Sequence, residues 1–472
     1  VNKAVDNIQE RLTSYACGLT YTALSADTVH AAKVRIIDTL GALIGGFPGE
    51  PCRIARTLAA AMPNAGGATV IGTRLKTTPD LAAFVNATAA RYVEMNDVYH
   101  SPGSKGGHPS DVVMPLLAVA EHAQANGREF ITAVVLAYEI YLRFSDAVLT
   151  PGFDAANFAC VGTAVAAGRL LGLTQQQQSH CIAMAVVPNN ALNQGRTGHL
   201  SMWKAVAAGQ AGRAGVFAAL LARAGMQGPH LPFEGKAGWC DHVARKRFAL
   251  DTLGGNGTPF KIGDTLIKQR SSCATTISSI LAAEKVSAAL SDLQDVERVT
   301  VEVYERAKTG MGTGEHHWHP DSRETADHSI PYVVAAALMD GTVTPQSFDD
   351  KHLGSATLRS LLPRIEVVAN AEFTAAYERL PVEHRTRITA VTRDGKRVVG
   401  ESGGDKGDLS ERKSDAQIAR KFRALTAEML GAERADAILD RLWNLDTLQD
   451  VTAIPPAFVP ADDSDRPGHG GA

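Results

Sequence analysis

Strong charge of one sign, clustered cysteines and long apolar runs are all missing from this chain, and each absence excludes a class of protein. Lysines and arginines number 47 against 50 aspartates and glutamates, a formal net charge of -3. No basic surface is therefore available for nonspecific nucleic-acid binding, and no Lys/Arg run suggests a membrane-seeking tail. Any anion must meet a local positive pocket. The six cysteines, Cys17, Cys52, Cys160, Cys181, Cys240 and Cys273, are scattered without a C-x-x-C pair. Neither a zinc site nor an iron–sulfur cluster is written in that spacing, and a reducing cytoplasm is the expected home. No uninterrupted apolar run reaches bilayer length, and the first thirty residues hold no basic segment followed by an apolar one, so neither a membrane span nor a secretory leader is expected.

What the chain does have is alanine, glycine and helical periodicity. At 472 residues, with 45% hydrophobic and 21% charged residues, it is too long for one ordinary core and reads as a globular protein of two domains. Segments such as LSADTVHAAKVRIIDTLGALIGG place apolar residues at helical spacing, with Ser25 and Asp27 as start signals and Gly45-Gly46 as a stop. Near Gly254 the texture changes to a loop, a helix and then alternation at Val299, Val301 and Val303 as in a half-buried strand, and Asp394-Gly395 is a hairpin turn pair. The fold class is thus mainly α: an all-helical domain from residues 1–262 and 405–455, a smaller α+β domain from 263–404, and a mobile or surface-laid tail at 456–472.

Chemistry concentrates in Glu94 to Pro115, EMNDVYHSPGSKGGHPSDVVMP. This Gly/Pro-broken loop carries Glu94, Asp97, Tyr99, His100, Lys105 and His108 between two helical stretches, where functional groups are commonly displayed. A helix is expected to start at His108-Pro109-Ser110-Asp111, with Ser and Asp capping it and free N–H groups attracting a carboxylate. The alternative is a solvated connector. Further on, Lys204 falls in the first turn of a helix predicted over Ser201–Ala224, where a cation opposes the helix dipole. Such a position invites a functional reason, the alternative being that Lys204 snorkels from the helix end to water. Arg213 reads as a structural partner. His316, His317, His319 and His328, with Arg323, form the densest histidine group, but H-H-W-H matches no standard metal spacing and a polar lid hinged on the preceding Gly-rich run is the better reading.

The stretches HPSDVVMP, GHLSMWKAVAAGQAGRAGVFAALLA, PFEGKAGW, the IKQ start at Ile267 and RETADHSIPYVVAAALMDGTVTPQSF together resemble the MmgE/PrpD family along nearly the whole chain. That resemblance implies a large helical domain with a small α+β lid, a homodimer, no metal or organic cofactor, and a small di- or tricarboxylate substrate attacked at a carbon beside a carboxylate. It also implies roles. Lys204 and Lys268, with Arg323 as a further candidate, would hold carboxylates through charge-assisted hydrogen bonds. His108 matches the active-site histidine, Asp97 the acidic position whose carboxylate would orient its ring, and Glu94 a position where relatives carry a pocket-facing Asp. Tyr99, His100 and His319 complete the expected substrate-facing set.

The chain also departs from the family pattern. Cys273 stands where decarboxylase-like members carry His, and GFDAANFACVGT lacks a second expected His near Gly152-Phe153. Cys273, close to Lys268 and Arg270 at a helix start, is placed as a thiolate, as in epimerases of this kind, or else is a small buried residue. The leading expectation is a lyase that dehydrates a 2-methylcitrate-like hydroxy acid by acid–base catalysis. The alternatives are an epimerase, racemase or decarboxylase using the same pocket, and a noncatalytic binding protein.

Overall fold

Helical periodicity becomes nine successive helices in the first half of the computed structural model, which describes residues 5–380, 382–403 and 409–460. They are α1 (Asn7–Gly18), α2 (Ala26–Gly46), α3 (Glu50–Ala60), α4 (Pro79–Tyr92), α5 (Val113–His122), α6 (Gly127–Ala147), α7 (Ala156–Leu170), α8 (Gln175–Val186) and α9 (Trp203–Arg223). Ser25 caps α2 by accepting the Thr28 N–H, as its position in the sequence suggests. The AGGATVIGT stretch contributes to β1 (Pro63–Thr69), paired antiparallel with β2 (Lys76–Thr77).

Close packing of these helices depends on small residues. A Cβ at Gly209, Gly212 or Gly215 of α9 would come within 2.5 Å of the Phe84 carbonyl oxygen, 2.2 Å of Pro115 or 2.7 Å of the Cys160 carbonyl oxygen. Glycine every third residue thus lets α9 cross α4, α5 and α7 at short range. By length and composition α9 is also apolar enough to cross a membrane, although Lys204, Gln210 and Arg213 interrupt its apolar run. Its Ala- and Gly-rich faces are instead buried inside the helical body, as in a core helix.

The second unit opens with α10 (Ile277–Ala289) and a four-stranded sheet ordered β4-β3-β5-β6. The strands are β3 (Val296–Val303), β4 (Ile365–Ala369), β5 (Thr386–Thr392) and β6 (Arg397–Ser402), with β3 and β4 parallel and the other neighbours antiparallel. Val299, Val301 and Val303 are all fully buried, so the alternating pattern marks the core face. The turn after β5 holds Gly395 at φ +83°, a conformation glycine adopts without steric penalty.

Chain order then folds back on itself. The helix Asp415–Leu430 returns to the first body, where Ile418 and Phe422 join its core and Lys421 bonds Asp38 at 2.6 Å. The tail expected to be mobile or laid along the surface from 456 onward begins packed: Phe458 is fully buried with its ring 6.5 Å from that of Phe422, because an aromatic side chain there completes the core. Residues 461–472 lie outside the described residues, as does the 404–408 segment containing the expected boundary at 405.

Two contacts set the site's position. Val98 packs in the core of the second unit and exchanges backbone hydrogen bonds with Leu266 at 2.8 and 2.9 Å. The loop after α4 is thereby stitched to the segment entering the second unit, and Lys268 is brought beside Glu94.

Candidate active site

Glu94 is the centre of the site. It follows α4 directly, is fully buried and has φ +52°, an uncommon conformation for a side chain of this size. Burial pushes its carboxyl up, but Arg91, Lys268 and Lys204 more than reverse that and hold it well below the usual carboxylate range. Arg91, in the last turn of α4, donates Nη1–H to Oε2 at 3.0 Å. Lys268 Nζ donates to Oε1 at 2.9 Å and to the Ser272 carbonyl oxygen at 2.9 Å. Lys204 Nζ lies 3.2 Å from Oε2 and donates to both oxygens of Asp327 at 2.6 and 2.7 Å. This is why a lysine sits in the first turn of α9: two carboxylates hold it, and it does not snorkel to water.

This buried ionic floor supports a partly exposed rim. His108 Nδ1–H donates to the Asp97 carbonyl oxygen at 2.8 Å, which leaves Nε2 without a proton, 3.7 Å from Glu94 Oε1. Burial, with Arg91 and Lys268 nearby, holds His108 well below the ordinary imidazole range, so the ring is a neutral base. The glycine pair before it is required: Gly107 has φ +119°, and a Cβ there would sit 2.1 Å from the Tyr141 hydroxyl that accepts the His108 N–H.

The other side of the rim is Cys273 with His328. Asp327 accepts from His328 Nδ1 at 2.6 Å, and its carbonyl oxygen accepts the Cys273 N–H at 3.0 Å. Burial opposes the charged form of both groups. For the Cys273 thiol, the charge and hydrogen bonding of His328, with Lys268 adding, outweigh burial and bring it below its ordinary value. For His328, Cys273 and Asp327 outweigh burial and Lys204 and raise the imidazole. One imidazole is therefore neutral and the other favours its proton, joined through Glu94, Lys204 and Asp327.

Several sequence expectations are relocated by this geometry. Asp97 does not orient His108 through its carboxylate. That group accepts the Ser110 N–H at 3.0 Å and the Tyr138 hydroxyl at 3.1 Å, and the backbone carbonyl orients the ring. Neither Ser110 nor Asp111 caps the helix start, which is a short 3-10 turn, Pro109–Val112, before α5. The Ser110 N–H expected to attract a ligand carboxylate is thus already bonded to Asp97. Tyr99 is tied to Asp146 and Lys261 by its hydroxyl at 2.8 and 2.9 Å. His100 pairs with His384 at 2.9 Å. Arg323 lies over the rings of Tyr92 and Phe348 and donates to the Pro345 carbonyl oxygen and Ser271, which makes it a packing and hydrogen-bonding residue.

His319 lines a separate cavity of about 610 Å3 with Trp318 and Arg359. Among the described residues no group of three or more His, Cys, Asp or Glu side chains is placed to hold a metal ion. Three floor and rim groups escaped the sequence reading: Arg91, Asp327 and the pairing of His328 with Cys273. The available signal was the Asp-His step immediately before the Ser329 helix cap.

A helical body closed by an α+β unit gathers titratable side chains over buried ion pairs at the seam. The chain belongs to the MmgE/PrpD family: the model of its N-terminal domain matches residues 10–250 and that of its C-terminal domain residues 271–445. Similar proteins include cis-aconitate decarboxylase of Homo sapiens, 24% identical over 95% of this chain and 94% of that one. The 2-methylcitrate dehydratase of Escherichia coli strain K12 is 25% identical over 78% of this chain and 77% of that one. The mitochondrial 2-methylcitrate dehydratase of Yarrowia lipolytica is 24% identical, over 80% and 74%.

Proposed function

We propose that this protein is a lyase that removes water from a small hydroxylated di- or tricarboxylate, of the kind named for its dehydratase relatives. The observation that carries the reading is the pair of imidazoles held differently over one ionic floor, His108 Nδ1 on the Asp97 carbonyl oxygen and His328 Nδ1 on the Asp327 carboxylate, whose surroundings push the first down and the second up. Elimination of water needs a base and an acid at once. His108 Nε2 takes the proton from the carbon beside a carboxylate. The Cys273–His328 pair gives a proton to the departing hydroxyl, so that C–H and C–O bonds break, a C=C bond forms and water leaves. Arg91, Lys204 and Lys268 bring three cations to the floor and favour the enolate-like charge that builds during proton removal.

A second reading is favoured by Cys273 itself. A thiol of lowered pKa, set by way of Lys268 and Glu94 on the same site as a neutral imidazole, suits the return of a proton to the opposite face of the same carbon, which is epimerisation. Proton NMR of 2-methylcitrate and citrate with the enzyme in deuterated buffer separates the two. A new vinylic or allylic signal with loss of water supports the lyase. Deuterium entering intact substrate replaces it with the epimerase, and no change across a panel of polycarboxylates sinks both.

A further inference from the structure

Beside the rim lies a cavity of about 290 Å3 that the proposed mechanism leaves unused. It is bounded by the 100–106 segment of the active-site loop on one side and by Arg306, Thr374, Tyr377 and Glu378 of the second unit on the other. Two cations, Lys105 and Arg306, line it against one carboxylate, Glu378, and neither cation forms an ion pair with another described residue. This is the reverse of the floor, where Lys204 and Lys268 are matched with Glu94 and Asp327. Burial pushes the Lys105 ammonium down, Asp154 offsets part of that, and Arg306 lowers it further, so the two cations repel each other in the same space. Two unpaired cations against a single carboxylate leave an excess of positive charge that an anion completes.

The cavity also adjoins the chemistry. Tyr377, which Arg306 reaches, stacks on Tyr304 with ring centroids 4.2 Å apart, and Cys273 acts electrostatically on both phenols. His100, in the cavity wall, feels Lys268 and Arg306.

We infer that this cavity is a subsite for the substrate carboxylate remote from the reacting carbon, with Lys105 and Arg306 as its ligands. The inference rests on the acid–base reading above and deepens it: it accounts for a preference for a di- or tricarboxylate over a monocarboxylate, because the floor lysines are already paired and the loop and second unit supply the unmatched charge.

The test is calorimetric binding of tricarballylate, an unreactive tricarboxylate, with propionate as the single-carboxylate comparison. Lys105→Gln and Arg306→Gln are each expected to weaken tricarballylate binding by about tenfold, with propionate affinity and thermal melting unchanged. Arg306→Glu, an exchange at an exposed position, is expected to weaken it more and covers the case in which a Lys105 variant folds poorly. If wild type binds tricarballylate and the Arg306 variants bind it equally well, the subsite is overturned while the lyase reading stands. If His108→Asn abolishes turnover and still binds tricarballylate with the Lys105 and Arg306 dependence intact, the subsite stands independently of catalysis. If wild type binds no polycarboxylate, both readings fall.

Discussion

Glu94 and His108 share one loop and occupy opposite surroundings. Glu94 is fully buried and ringed by Arg91, Lys204 and Lys268, whereas His108 retains 19% of its side-chain exposure and touches the floor at 3.7 Å. The difference teaches how the site divides its work. Where charge is wholly buried it must be compensated, so it becomes fixed and structural. Where burial is partial, the same field shifts a proton equilibrium without fixing it, and the group can exchange protons with a substrate.

The largest expected effect breaks the floor. Glu94→Gln leaves three buried cations with Asp327 beside Lys204 and Asp111 beside Arg91 as the remaining carboxylates, and the loss is expected to be about 3–5 kcal/mol of stability, together with activity. The pH dependence has a definite sign. Because the folded-state pKa of Glu94 is depressed, its stabilisation is present above the ordinary carboxylate range and disappears as pH falls through the folded value. Urea denaturation should show the wild type's advantage over Glu94→Gln at neutral pH and a shrinking gap toward acid. A neutral-pH gap below about 1 kcal/mol would mean the floor is not a stability element.

His108→Asn tests the other half of the comparison. It removes the unprotonated Nε2, and turnover is expected to fall about 100- to 10,000-fold, while thermal melting changes little because a half-buried ring with one side-chain hydrogen bond is lost. If both measurements fall together as they do for Glu94→Gln, the distinction between floor and rim is wrong. A smaller effect is expected at the far side of the rim. His328→Ala should slow iodoacetamide labelling of Cys273 near neutral pH by about tenfold, the change in thiolate fraction for one pKa unit. The midpoint of the labelling profile should move upward, since His328 is what outweighs burial of the thiol. A midpoint that stays in place would assign the thiolate to Lys268 instead.

Local signals made much of the fold legible. Ser25 and Asp394-Gly395 mark a helix start and a hairpin, and each does so through chemistry within a few residues. The histidine after two glycines and both lysines were legible as well, and they meet at Glu94. What the sequence hid was pairing across distance. Nothing near Lys204 announces Asp327, because their ion pair exists only once α9 meets the second unit. Nothing near His108 says that a carbonyl rather than a carboxylate orients it, because the choice depends on how the loop turns at Asp97.

The histidine-rich segment gives the smallest expected effect and the sharpest limit on the rim. Four histidines close in sequence suggest one site, yet the chain disperses them. His316 and His317 pack ring against ring at 4.1 Å, with His316 also facing His199, and His319 turns to a cavity shared with Trp318 and Arg359. Of the four, His328 is the one joined to the floor, through Asp327. His319→Ala should therefore leave kcat/KM within about twofold and stability within about 0.5 kcal/mol, as for a surface substitution away from special contacts, measured beside His328→Ala under the same conditions. A tenfold loss of kcat/KM in His319→Ala would require this segment to reach the substrate, and the rim would then have to be redrawn to include the 314–319 turn.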